Sequence, residues 1–214
     1  MQSFLIIGMG VFGTHLAAGL QRLGNEVLVI DKNPQRIEEI SVDFDNAYTG
    51  DCTNPNILKS IGVNNFDRCV VAIGEDFYAS IEILTLLKEM GARYVISKAK
   101  MERQASILTK LGADEVVYPE RDMADRLAMR YHAGSITEYY MLQGGMALFE
   151  LPVPEKWVEH SIGDLDIRKR YQVTVVAIKR GEAMLPNPGP AQVLEAGDVL
   201  VTLGDSEQVA RLRF

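Results

Sequence analysis

The chain has 214 residues, 47% hydrophobic and 24% charged, with a formal net charge of −7 from 22 basic and 29 acidic side chains. That balance excludes a disordered chain and supplies enough apolar surface for two domains with real cores. An acidic protein offers no global attraction for nucleic acid or an anionic membrane surface, because such binding needs a basic face. No apolar run approaches the roughly 20 residues that cross a bilayer, and the N-terminus runs into a strand rather than a cleavable leader. A cytoplasmic protein without direct membrane insertion is expected. Cys52 and Cys69 lie on separate segments without CxxC spacing, so free thiols are expected rather than a disulfide or a zinc site.

In chain order, short β-branched runs alternate with amphipathic stretches up to about residue 118. Strands are predicted near 3–8, 26–31, 46–49, 68–73, 93–97 and 115–118. Between them "GVFGTHLAAGLQRLG", "NPQRIEEI", "NPNILKSIG", "DFYASIEILTLLKEMG" and "KMERQASILTKLGA" read as helices, with Gly24, Gly91 and Gly112 placed to end three of them. The alternation predicts an α/β fold, a Rossmann-like doubly wound parallel sheet over 1–118.

Residues 119–145 are expected to form a helical crossover: a helix from "YPERDMADRLAMRYHAG", a Gly-Ser break and a second helix "SITEYYML". Their apolar bulk exceeds what covering one sheet requires, which points to a dimerisation interface. From 146 to 214 the texture becomes strand-rich, a small α+β domain with hairpin signals at Arg180-Gly181 and Ala196-Gly197 and a closing helix "DSEQVARLRF".

The chemistry concentrates in "LIIGMGVFGTHLAAGL". Gly8 permits a tight turn, Gly10 lets the backbone approach a pyrophosphate, and Gly13 lets the helix pack close to the sheet. The helix N-terminus points its free N–H groups and positive dipole end at the same place. A bare GxGxxG is weak evidence, but this one follows a strand, opens a helix and precedes by 18 residues Asp31, at the end of the second strand. A carboxylate there can accept both ribose hydroxyls and repels a 2′-phosphate. Ligands of such sheets bind outside the carboxyl ends of the strands. Asp51 and Cys52 are therefore expected beside an adenine, Ile73, Gly74 and Glu75 near ribose and phosphates, and Lys98 across the cleft.

No catalyst accompanies this site. His15, His132 and His160 have no carboxylate at a spacing that suggests a proton relay, and GxSxG, HExxH and Walker-lysine patterns are missing. The nucleotide is expected to be read rather than transformed. The competing class, an NAD-dependent oxidoreductase with a small substrate domain, would need an acid or base over the nicotinamide.

The stretches "FLIIGMGVFGTHLAAGLQRLGNEVLVIDKNPQRIEEI", "TGDCTNPNILKSIGV", "VVAIGEDFYASI" and "LGADEVVYPERDMADRLA" resemble the RCK domains, regulators of potassium conductance, of Trk/Ktr-type uptake systems. The half ending in "LEAGDVLVTLGDSEQVARL" resembles their C-terminal companion domain. The resemblance implies a cytosolic regulatory subunit, a homodimer assembling into a larger ring of the octamer type. Such a ring docks on a membrane potassium channel or transporter and gates it as nucleotides exchange. It implies nucleotide contacts at Gly8, Gly10, Val11, Phe12 and Gly13, at Asp31, Lys32 and Asn33, at Asp51 and Cys52, at Ile73, Gly74 and Glu75, and at Lys98. It also implies that Glu120 of "PERDM" helps hold a divalent cation, Mg or Ca, at the dimer interface. Members that prefer ATP often carry arginine where this chain has Val11, so ATP/ADP and NAD(H) both remain open. "DLDIRKRYQVTVVAI" resembles a cyclic di-AMP-binding segment, with Ile167, Arg168 and Val175 as lining residues or as parts of a plain structural hairpin.

Overall fold

The computed structural model describes residues 1–132 and 136–206. It divides into two compact units, Met1–Arg121 and Asp122–Phe214.

The first unit is built on six parallel strands, β1 (Ser3–Ile7), β2 (Glu26–Asp31), β3 (Ala47–Thr49), β4 (Arg68–Val71), β5 (Val95–Lys98) and β6 (Glu115–Val117), in the spatial order β3-β2-β1-β4-β5-β6. The helices α1 (Val11–Arg22), α2 (Pro34–Ile40), α3 (Pro55–Ile61), α4 (Phe77–Glu89) and α5 (Glu102–Lys110) connect them. Alternation in β1 shows why both faces are covered. Phe4 and Ile6 enter one core with Val29 and Val70, while Leu5 and Ile7 enter the opposite core with Leu84 and Leu108. Buried apolar side chains of this size each contribute roughly 1.5–3 kcal/mol. The strand order reverses between β1 and β4, which opens a crevice at their carboxyl ends.

Helix α6 (Pro119–His132) leads from β6 into the second unit. There the expectation of a second helix at "SITEYYML" is corrected: residues 138–141 form strand β7 (Glu138–Met141), antiparallel to β8 (Met146–Pro152). Aromatic and β-branched residues favour a pleated surface over a helix, and Ile136 and Tyr139 are buried while Tyr140 and Met141 are exposed. Gly144 and Gly145, both at positive φ, make the turn into β8. The expected Gly-Ser break falls at residues 133–135, outside the described residues.

Short helices α7 (Ile162–Leu165) and α8 (Ile167–Tyr171) follow, then β9 (Val173–Arg180), β10 (Ala183–Pro186) and β11 (Val199–Asp205). The sheet order is β10-β9-β11-β8-β7. Arg180-Gly181 is the β9–β10 hairpin as expected. Ala196-Gly197 is a turn but not a hairpin, because β11 inserts between β9 and β8 instead of returning along β10. The expected closing helix lies largely outside the described residues; Asp205 ends β11. Phe149, Leu151, Trp157, Ile178 and Leu200 form the core of this unit.

Insertion of β11 is fixed by a charged fork. Arg180 on β9 donates through Nε to Asp198 Oδ1 at 2.9 Å and through Nη2 to Oδ2 at 2.7 Å, and it also pairs with Glu195. Asp198 is buried and accepts the Glu195 N–H at 2.8 Å as well. The Arg180 guanidinium holds the Asp198 carboxyl below the usual carboxylate range. Because the folded-state pKa lies below the unfolded one, the stabilisation is present above about pH 4 and is lost as the pH falls further. Asp198→Asn should cost about 3 kcal/mol at pH 7, with the gap from wild type narrowing at pH 3 in urea titrations. An equal gap at both pH values would contradict this assignment.

Candidate functional site

The chain leaves β1 at Ile7 and turns sharply at Gly8, whose φ is +97°. The Gly8 N–H donates to the Ile30 carbonyl at 2.8 Å. A side chain at Gly8 would be strained by that φ and would press on Ile73 Cγ1 at 3.0 Å. At Gly13, a Cβ would overlap the Gly8 carbonyl oxygen. Both glycines are therefore demanded by the fold itself. Gly10 differs, since a Cβ there would meet no protein atom within 4 Å. It caps α1 in extended geometry without any side-chain cap, so the first N–H groups of the helix turn toward the crevice.

Asp31, at the end of β2, is buried and accepts the Met9 N–H at 2.7 Å and the Asn33 N–H at 2.8 Å. Arg36 Nη1 stands 3.4 Å from its second oxygen. The carboxylate thus holds the glycine turn, at the strand end where a ribose was expected. Asn33 uses its side chain to cap α2 through the Gln35 N–H at 2.9 Å. Lys32 lies 3.5 Å from Asp76, the residue that caps α4 through the Ala79 N–H at 3.0 Å.

Asp51 accepts from both the hydroxyl and the N–H of Thr53, at 2.8 and 3.1 Å, and these bonds lower its pKa. The Cys52 side chain is buried in the core, and desolvation pushes its thiol up to about 12. It is a neutral core side chain, neither nucleophile nor charged contact. On the other side of the switch point, Glu75 is exposed and accepts from Lys100 Nζ at 2.6 Å. Lys98 is buried, and its ammonium reaches Glu120 at 2.5 Å and lies 5.5 Å from the Phe12 ring centroid. Gly74 sits beneath both lysines: a Cβ there would be 3.5 Å from Lys98 Nζ and 3.9 Å from Lys100 Nζ.

Glu120 therefore stands as the counterion of Lys98, whose hydrogen bond lowers its pKa more than any other neighbour does. Within one chain, a lone carboxylate beside two ammonium groups does not fit a divalent cation. Among the described residues no group of three or more His, Cys, Asp or Glu side chains could hold a metal. In the second unit Ile167 is a core residue, Arg168 is exposed and Val175 is half-buried on β9.

The family model of the TrkA-N domain matches residues 4–119, more than half of the chain, and that of the TrkA-C domain matches residues 146–213. The chain belongs to the TrkA-N family. It is 34% identical over 210 residues to the Ktr system potassium uptake protein C of Bacillus subtilis (strain 168), covering 98% of this chain and 95% of that protein. Against the Ktr system potassium uptake protein A of Vibrio alginolyticus the identity is 32%, with the same coverage. Among solved structures, the GsuK channel bound to NAD is 26% identical with a TM-score of 0.55, covering 97% of this chain and 37% of that one.

In this TrkA-N chain, sequence reasoning missed Arg36, Asp76 and Lys100. Lys100 left a signal, because the alternation in "SKAK" puts it on the same side as Lys98. Arg36 sits five residues beyond Asp31 and reaches back only because α2 starts at once. The glycine turn yields a direct contrast. Gly13→Ala should lower stability by about 2 kcal/mol or more, because the new methyl meets a backbone carbonyl that cannot yield. Gly10→Ala should stay within about 1 kcal/mol of wild type. Equal losses in thermal unfolding would refute the division between fold-demanded and fold-free glycines.

Proposed function

We propose that this chain is a nucleotide-sensing regulatory subunit that binds ATP/ADP or NAD(H) at the β1–β4 crevice and gates a membrane potassium channel or transporter. It does so from the cytoplasmic side. Gly10 carries the reading: no protein atom lies within 4 Å of where its side chain would be, so the backbone at the start of α1 is open to the close approach of a ligand. Phosphates fit that place, facing the uncapped start of α1 with Lys98 opposite. Potassium transport enters through the names of the relatives, Ktr uptake proteins at full length and the GsuK channel over the matched region.

A nucleotide that favours one arrangement of the assembled subunits shifts the equilibrium by its differential affinity, and the docked partner responds to that shift. The exposed apolar residues Met123, Leu127 and Tyr131 of α6 and Tyr140, Met141 and Leu142 around β7 support a homodimer and a larger ring. A divalent cation at Glu120 would require acids from a second copy of the chain, and no step depends on it.

In calorimetric titration the wild-type protein should bind ADP, ATP or NAD(H), and mass spectrometry should recover the nucleotide unchanged. A ligand at a hundredfold excess over Kd adds about 2.7 kcal/mol of stability. Gly10→Ala should lose about tenfold or more in affinity while remaining folded, because its methyl occupies the phosphate approach. Unaltered binding by Gly10→Ala, or turnover of the nucleotide, would overturn the reading.

A further inference from the structure

The crevice holds more positive charge than the glycine fingerprint implies, and one of its lysines has no role so far. Lys98 ends β5 and Lys100 lies two residues beyond, in the bend that follows the strand. Their ammonium groups converge above Gly74, as the distances of 3.5 and 3.9 Å to its Cβ position record. Lys100 Cε also lies 3.2 Å from that position, so the chain end of the side chain, not only its tip, leans over the end of β4. A side chain at residue 74 would press on the Lys100 stem and touch both ammonium groups.

Two like charges held over one point repel each other unless anions are present. Here the anions are Glu120 and Glu75, whose side chains are 60% and 91% exposed against 9% and 39% for the lysines they meet. The carboxylates are hung on the solvent side of the cations. The Lys100–Glu75 pair, exposed on both sides, contributes little stability, so it exchanges readily for a better anion. The Lys98 ammonium lies 5.5 Å from the ring of Phe12, in the first turn of α1, so the ammonium pair adjoins the helix start that the proposed reading assigns to phosphates.

We propose that Lys100 acts with Lys98 as a two-ammonium clamp for the terminal phosphate of an adenosine di- or triphosphate. The inference rests on the reading of the crevice as a nucleotide site and decides what that reading left open. A terminal phosphate brings two or more negative charges to the clamp. NAD+ brings a cationic nicotinamide ring to the same region, and two ammonium groups disfavour it. The lysines thereby supply from the β5 side the charge that Val11 does not supply from α1.

The experiment is calorimetric titration of the full chain with ATP, AMP and NAD+ at fixed ionic strength, for wild type, Lys100→Gln and Lys100→Arg. Thermal unfolding of each variant establishes that it is folded. Wild type is expected to bind ATP more tightly than AMP or NAD+. Lys100→Gln should weaken ATP about tenfold, the worth of one charge-assisted hydrogen bond, and leave AMP within about twofold. Lys100→Arg, which keeps the charge, should retain ATP affinity within about threefold. An unchanged ATP affinity in Lys100→Gln, or an equal loss for ATP and AMP, overturns the clamp while leaving the nucleotide site standing. Failure of wild type to bind any of the three overturns the nucleotide reading itself.

Discussion

The architecture of the site depends on the buried carboxylate of Asp31, which accepts the Met9 N–H at 2.7 Å and the Asn33 N–H at 2.8 Å. Burying an anion costs several kcal/mol unless hydrogen-bond donors satisfy it. Here the donors are backbone N–H groups from two different loops, so satisfying the charge also fixes the ends of β1 and β2 relative to each other. The glycine turn follows from this. With Met9 tied to Asp31, the chain can enter α1 only by reversing at Gly8, and the helix packs back so closely that residue 13 has no room for a side chain. Asp31 thus has a duty toward the fold, whereas the sequence pattern suggested only one toward a ligand.

Much of the first unit was legible because its signals are local. Each strand is a short β-branched run, each helix has the right period, and the turn residues sit where a parallel sheet needs them. All six strands and five helices occur where the periodicity put them, to within a few residues. The second unit resisted in one place. "SITEYYML" carries enough apolar residues for either a helix face or a strand, and a short apolar run does not separate the two by period. What decides it is non-local: β8, with its buried Ala147, Phe149 and Leu151, offers an edge that β7 can pair with across the Gly144-Gly145 turn. Propensity gives way to tertiary pairing there.

The residues of the site were legible in a similar split. Glycines and Asp31 announce themselves by spacing. A side chain that arrives by folding back, as Arg36 does, leaves no such mark, whereas Lys100 left one in the alternation of "SKAK". Cys52 differs from these. It was expected beside an adenine, and its side chain lies in the core from the turn that follows β3. Position at a strand end selects a neighbourhood, not a direction.

The charge pattern of the crevice then acquires a physical sense within a chain of net charge −7. An acidic protein repels a nucleotide polyanion at long range, although screening confines that repulsion to about 10 Å at ordinary salt. On the proposed reading, affinity comes from close, oriented cations. Lys98 is suited to this because its side chain is buried and its ammonium is already held by Glu120, so little side-chain entropy remains to be lost on binding. Glu120 neutralises that cation, and Glu120 lies in the first turn of α6, the helix that leads out of the first unit. An anion that takes Lys98 releases the carboxylate at the start of that helix. Occupancy of the crevice and the electrostatics of the α6 N-terminus are therefore coupled through a single ammonium group, without any requirement for the sheet to move.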